Sequence, residues 1–78
     1  MATYIVKRDC CSGVKSFDSL EDALKFCNGL KDKFNIMDLN LWQNDNDIWI
    51  RIDISYDEKY RVSDKEFLEL LNIFIIKS

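Results

Sequence analysis

The chain has 78 residues, 47% hydrophobic and 13% aromatic, and a net charge of −3 from 11 Lys and Arg against 14 Asp and Glu. That size implies a single domain over residues 1–78 with one modest core, and the composition excludes the aromatic-poor, charge-dominated class of disordered chains. The acidic balance argues against a surface that grips nucleic-acid phosphates, and no apolar run is long enough to span a bilayer.

Residues 2–8 alternate loosely and are rich in β-formers, which predicts a first strand. Asp9 to Gly13 reads as a loop, and Val14 to Phe17 as no more than a short optional strand pairing back on the first. Asp18-Ser19-Leu20-Glu21-Asp22 carries two overlapping capping patterns that start a helix. Leu20, Ala23, Leu24, Cys27 and Leu30 then recur at helical spacing, and Asn28-Gly29 offers a left-handed stop, with fraying towards Lys33.

Asn35 to Tyr56 reads as a β-hairpin around Asn44-Asp45-Asn46-Asp47. A turn centred between Asp45 and Asn46 sets Met37, Leu39 and Leu41 opposite Ile54, Ile52 and Ile50, and Trp42 opposite Trp49 on the other face. That second face also carries Asp38, Asn40, Arg51, Asp53 and Ser55. Asp57 to Lys59 forms a polar turn, and Tyr60-Arg61-Val62 a brief further strand. Ser63-Asp64-Lys65-Glu66 is a second capping box, followed by Phe67, Leu70, Leu71 and Phe74 at helical spacing. Ile73 to Lys77 suits either a last helical turn or a final strand.

The resulting order, β-α-β-β-α, predicts a two-layer α+β domain with both helices on one face of an antiparallel sheet; a last strand would make the order ferredoxin-like βαββαβ. One sheet face is then left for solvent or a partner.

Trp42 and Trp49 on that face form a non-local aromatic pair worth ~0.5–1.5 kcal/mol beyond area burial. The pair either stabilises the hairpin or anchors a partner, since tryptophan is prominent among interface residues. Asp38 and Asp53 fall directly opposite each other, an arrangement that destabilises a sheet unless compensated. Arg51 is the expected compensating cation, with Lys7 or Arg8 adding to it. Asp45, Asp47, Asp57 and Glu58 are taken together as an acidic edge. The three cysteines, Cys10, Cys11 and Cys27, are too few for a structural zinc site without histidine, and an odd number reads as reduced thiols. Cys27 belongs to the core, and Cys10-Cys11 is a candidate exposed pair. No metal or cofactor is expected.

Histidine is absent and no Ser or Cys has a base beside it in sequence, so an enzyme is not expected. The reading is a small acidic, cytoplasmic, non-enzymatic protein-interaction module. It is plausible as an inhibitor or adaptor of the phage or mobile-element type, an analogy of size and charge that no family motif supports. Its partner-binding residues are Trp42, Trp49, Arg51, Asn40, Asp38, Asp53, Asp45, Asp47, Asp57 and Glu58. The alternatives are a single-stranded nucleic-acid binder stacking bases on the sheet aromatics, which the charge disfavours, and a structural homodimer joined through the sheet face.

Overall fold

The computed structural model describes residues 2–10 and 14–69. Among these, β1 (Thr3–Arg8), β2 (Val14–Phe17), β3 (Leu39–Asp45) and β4 (Ile48–Ile52) form one antiparallel sheet in the order β2-β1-β3-β4. Helix α1 (Leu20–Phe34) connects β2 to β3, and a second helix, α2, occupies residues 64–69 at the end of the described region. Val6, Phe17, Leu39 and Leu41 from the sheet bury themselves against Ala23, Leu24, Phe26, Cys27 and Leu30 of α1 and Phe67 of α2. The domain is a two-layer α+β fold with its core between the helices and one sheet face.

The optional strand is present. Tyr4 pairs with Phe17 across β1 and β2, which drops Phe17 into the core with its ring centroid 5.4 Å from that of Phe26. Four residues with one strong anchor are too short to show a period, so the sequence pattern alone understates β2.

Both helix starts match the capping chemistry. The Ser19 hydroxyl accepts the Asp22 N–H at 3.1 Å, and the Ser63 hydroxyl accepts the Glu66 N–H at 3.2 Å. The expected stop at Asn28-Gly29 is overturned, because α1 runs through both residues to Phe34. Asn28 is buried, and its side-chain amide donates to the carbonyls of Leu24 at 2.8 Å and Ser55 at 3.0 Å. Gly29 is where α2 crosses α1, and a Cβ there would overlap the Phe67 ring. Both residues are therefore tertiary contacts rather than a terminator. The left-handed residue is Asn35, at φ 55°, whose N–H bonds the Lys31 carbonyl at 2.9 Å.

The hairpin exists but its register is displaced by two residues. Asn46 and Asp47 both have positive φ, 53° and 65°, the signature of a type I′ turn. Asp45 therefore faces Ile48, and Trp42 faces Arg51 rather than Trp49. The Asn44 side chain accepts the Asp47 N–H at 3.2 Å and fixes the turn one residue later than expected. Leu41 faces Ile52 rather than Ile50, and Met37 lies before β3, exposed. A displacement of two leaves every side chain on its expected face.

Tyr60-Arg61-Val62 forms no strand. Glu58–Tyr60 is one 3₁₀ turn capped by Asp57, and Arg61 pairs with Asp32 of α1 at 3.4 Å. The expected ambiguity over residues 73–77 lies outside the described residues.

Candidate functional site

Because the helices cover one side of the sheet, strand alternation decides what the other side presents. Tyr4 and Val6 of β1 point to the core, so Ile5 and Lys7 point away. Ile5 pairs with Trp42 and Lys7 with Val14, which brings these side chains onto the uncovered face. Asn44 pairs with Trp49, so the two indoles are diagonal neighbours on that face rather than directly opposed. Ile5, Lys7, Val14, Trp42 and Trp49 together line an open groove of about 520 Å³. Trp42 is half-buried in it, and Trp49 is 53% exposed.

Of the five groove residues, only the tryptophans were expected from sequence as partner-binding residues. Ile5 and Val14 were missed because the inward side of β1 was undetermined and β2 was optional, and Lys7 was expected only as a cation supplementing Arg51. Once Val6 is known to be core, alternation alone supplies the other three.

Among the strand residues of this face the charged groups are Lys7 and Arg51, and neither forms an ion pair among the described residues. Arg51 lies across from Trp42. The expected clash of Asp38 with Asp53 does not arise, because the observed register does not pair them. Asp38 is held instead by Arg8, with Nη2 at 3.1 Å and Nε at 3.2 Å from its carboxylate. Partial desolvation pushes the Asp38 carboxyl up, but the hydrogen bond and charge of Arg8, with backbone N–H groups, outweigh it and hold the carboxyl below its ordinary value. The compensating cation is thus Arg8, not Arg51. Asn40 is tied to Asp9, to whose carboxylate its side-chain amide donates, and Asp53 is exposed beyond the end of β4.

The proposed acidic edge is divided. Asp45 and Asp47 sit at the hairpin tip, whereas Asp57 and Glu58 lie past the opposite end of β4. Asp57 is engaged locally, accepting the Lys59 N–H at 3.1 Å. Cys27 is free and buried, as expected of a core residue. Cys10 is exposed and disulfide-bonded, which corrects the expectation of reduced thiols; Cys11 lies outside the described residues. Among the described residues no group of three or more His, Cys, Asp or Glu could hold a metal ion, and no helix is long and apolar enough to cross a membrane.

Comparison with known proteins adds no relationship: no protein-family model matches the chain, and no curated protein or solved structure matches it significantly.

Proposed function

We propose that this protein is a non-enzymatic interaction module that docks onto another protein through the uncovered sheet face. The supporting observation is the Trp42–Trp49 groove. Two large rings and two aliphatic side chains converge on a face that, among the described residues, no helix covers, and contiguous exposed apolar area of this kind marks binding surfaces. The size and charge of the chain suit an inhibitor or adaptor of the sort that phages and mobile elements encode, which is an argument from general type.

The test compares wild-type protein with a Trp42→Ala, Trp49→Ala variant as bait in lysate of the source cells. A stoichiometric partner retained by wild type and lost by the variant, with circular dichroism and the unfolding midpoint preserved, supports docking through the groove. A partner held equally by both, or none at all, refutes it.

A second reading is favoured by one specific feature, the placement of Lys7 and Arg51 beside the indoles. Two cations flanking two aromatics suit a single-stranded nucleic acid, with bases stacked on the rings and phosphates on the cations. Of the other two arginines, Arg8 is engaged by Asp38 and Arg61 by Asp32, so the positive cluster is small. Saturable quenching of tryptophan fluorescence by short oligonucleotides at micromolar concentration would move this reading ahead of the first.

A further inference from the structure

Asn28 and Gly29 form the only Asn-Gly pair in the chain, and the pair carries a chemistry that neither residue's packing uses. The backbone nitrogen of the residue after an asparagine can attack the side-chain amide carbon. A glycine in that position has no Cβ to obstruct the attack and leaves the backbone free to reach the geometry required. The Gly29 nitrogen gives up its proton to solvent and bonds to Cγ of Asn28. The Cγ–Nδ2 bond breaks, ammonia leaves, and a cyclic imide remains. Water then opens the ring. Its addition at Cγ breaks the newly made bond and yields aspartate. Its addition at the Asn28 backbone carbonyl breaks the original peptide bond and yields isoaspartate, with the main chain running through the side chain. Water is the only co-reactant.

The folded protein closes this route. Asn28 and Gly29 lie inside α1 and both are buried, so the attacking nitrogen belongs to the helical ladder and water is kept from the amide carbon. The leaving group is held as well, because Nδ2 of Asn28 donates to the carbonyls of Leu24 at 2.8 Å and Ser55 at 3.0 Å. The Phe67 ring packs directly on Gly29, so opening α1 at this point also undocks α2. Every other asparagine is followed by a residue that bears a Cβ.

We propose that Asn28-Gly29 is a self-modification site gated by the fold: native α1 protects it, opening of the domain exposes it, and the products no longer fit the place they left. Aspartate sets a carboxylate against the two carbonyls that the amide served. Isoaspartate adds a main-chain carbon inside a helix and breaks the spacing on which the ladder depends. A chain that stays unfolded is thereby marked and depleted from the folded population, and unfolding becomes progressively irreversible. The site is separate from the groove and independent of any partner.

The test incubates the full chain at mildly alkaline pH with and without denaturing urea. The tryptic peptide between Lys25 and Lys31, which contains no other amide side chain, is followed by the mass gain of an amide-to-acid change. Modification is expected in urea and should be slower by about a hundredfold or more in the folded protein. The aged sample is then brought to a urea concentration at which fresh protein is just folded, and folded and unfolded chains are separated by size exclusion. Modified peptide should be enriched about tenfold or more in the unfolded fraction. Folded protein that is modified as fast as unfolded chain would overturn the gate, and modified chains shared equally between the two fractions would overturn its consequence. An Asn28→Ala chain aged in urea in the same way should refold as fully as before ageing. An equal loss of refolding in that variant would place the damage at another residue and overturn the assignment.

Discussion

Asn28 is the buried polar residue on which α1 and the segment after β4 depend together, and replacing it with aspartate isolates that dependence. The substitution keeps shape and volume but exchanges a donor group for an oxygen that faces two carbonyls, those of Leu24 and Ser55. Two hydrogen bonds worth ~1 kcal/mol each are lost, and burying a carboxylate that faces carbonyl oxygens adds ~1–3 kcal/mol. The expected cost of Asn28→Asp at neutral pH is therefore ~3–5 kcal/mol, against a total of ~4–12 kcal/mol for a domain of this length. The new carboxyl would be desolvated, so its folded value should lie above its unfolded value. The folded state then holds a proton that the unfolded state has released, and stability falls as pH rises between the two values. On acidification the protonated form regains one donor and part of the loss is recovered. Asn28→Ala, which removes the donors without adding a charge, should cost ~1–3 kcal/mol with no such pH dependence. Urea unfolding followed by tryptophan fluorescence, at neutral and mildly acidic pH, measures both variants. An Asn28→Asp protein within ~0.5 kcal/mol of wild type, or one whose deficit ignores pH, would refute the assignment of Asn28 as a double donor.

Gly29→Ala brings a helix-propensity gain of ~1 kcal/mol into conflict with overpacking against Phe67 that costs ~1–3 kcal/mol. A net loss is expected in denaturant unfolding, turning to a gain in a Phe67→Leu background; stabilisation in the wild-type background would show that the Phe67 ring moves aside freely. Burial pushes the Cys27 thiol up to about 12 from 9.0. Native protein should therefore leave Cys27 unmodified by a maleimide that labels it in urea. Over that range of pH stability should also fall, because the unfolded thiol ionises first while the folded one stays neutral; rapid native-state labelling would contradict the burial.

What was legible in the sequence was local or periodic. Ser19 and Ser63 cap helices by bonds to residues three positions on, and such chemistry needs no tertiary information. The faces of the hairpin followed from alternation and survived an error in register, because a two-residue slip preserves parity. The register itself was not legible. Asn44-Asp45-Asn46-Asp47 is four turn-formers in a row, any adjacent pair of which can take positive φ, and only the Asn44 side chain accepting from Asp47 distinguishes them. Asn28-Gly29 failed for a different reason. The pair has the composition of a helix stop, but its glycine makes room for Phe67 and its asparagine reaches Ser55, contacts that exist only after the chain has folded. The same holds for Arg8 and Asp38, thirty residues apart and joined by the pairing of β1 with β3. At the candidate site the indoles were visible as a face, whereas the other wall of the groove required the position of β1.

Net charge is a poor guide to what this protein presents. Six of its 14 carboxylates are committed to structure: Glu21 and Asp22 lie in the first turn of α1, Asp32 meets Arg61, Asp38 meets Arg8, Asp57 caps a turn and Asp64 meets Lys33. The strand residues of the uncovered face carry Lys7 and Arg51, while the exposed Asp47 and Asp53 flank the two ends of β4, so the charge around the groove is mixed rather than uniformly negative. On the docking reading proposed above, the feature that would select a partner is an apolar group able to fill the space beside the indoles. The aliphatic wall of Ile5 and Val14 separates the remaining possibilities. A base platform relies on successive exposed aromatic faces, whereas here Trp42 is half-buried and half of the lining offers no π surface. Under that proposal the geometry fits an aliphatic or aromatic side chain better than a run of stacked bases.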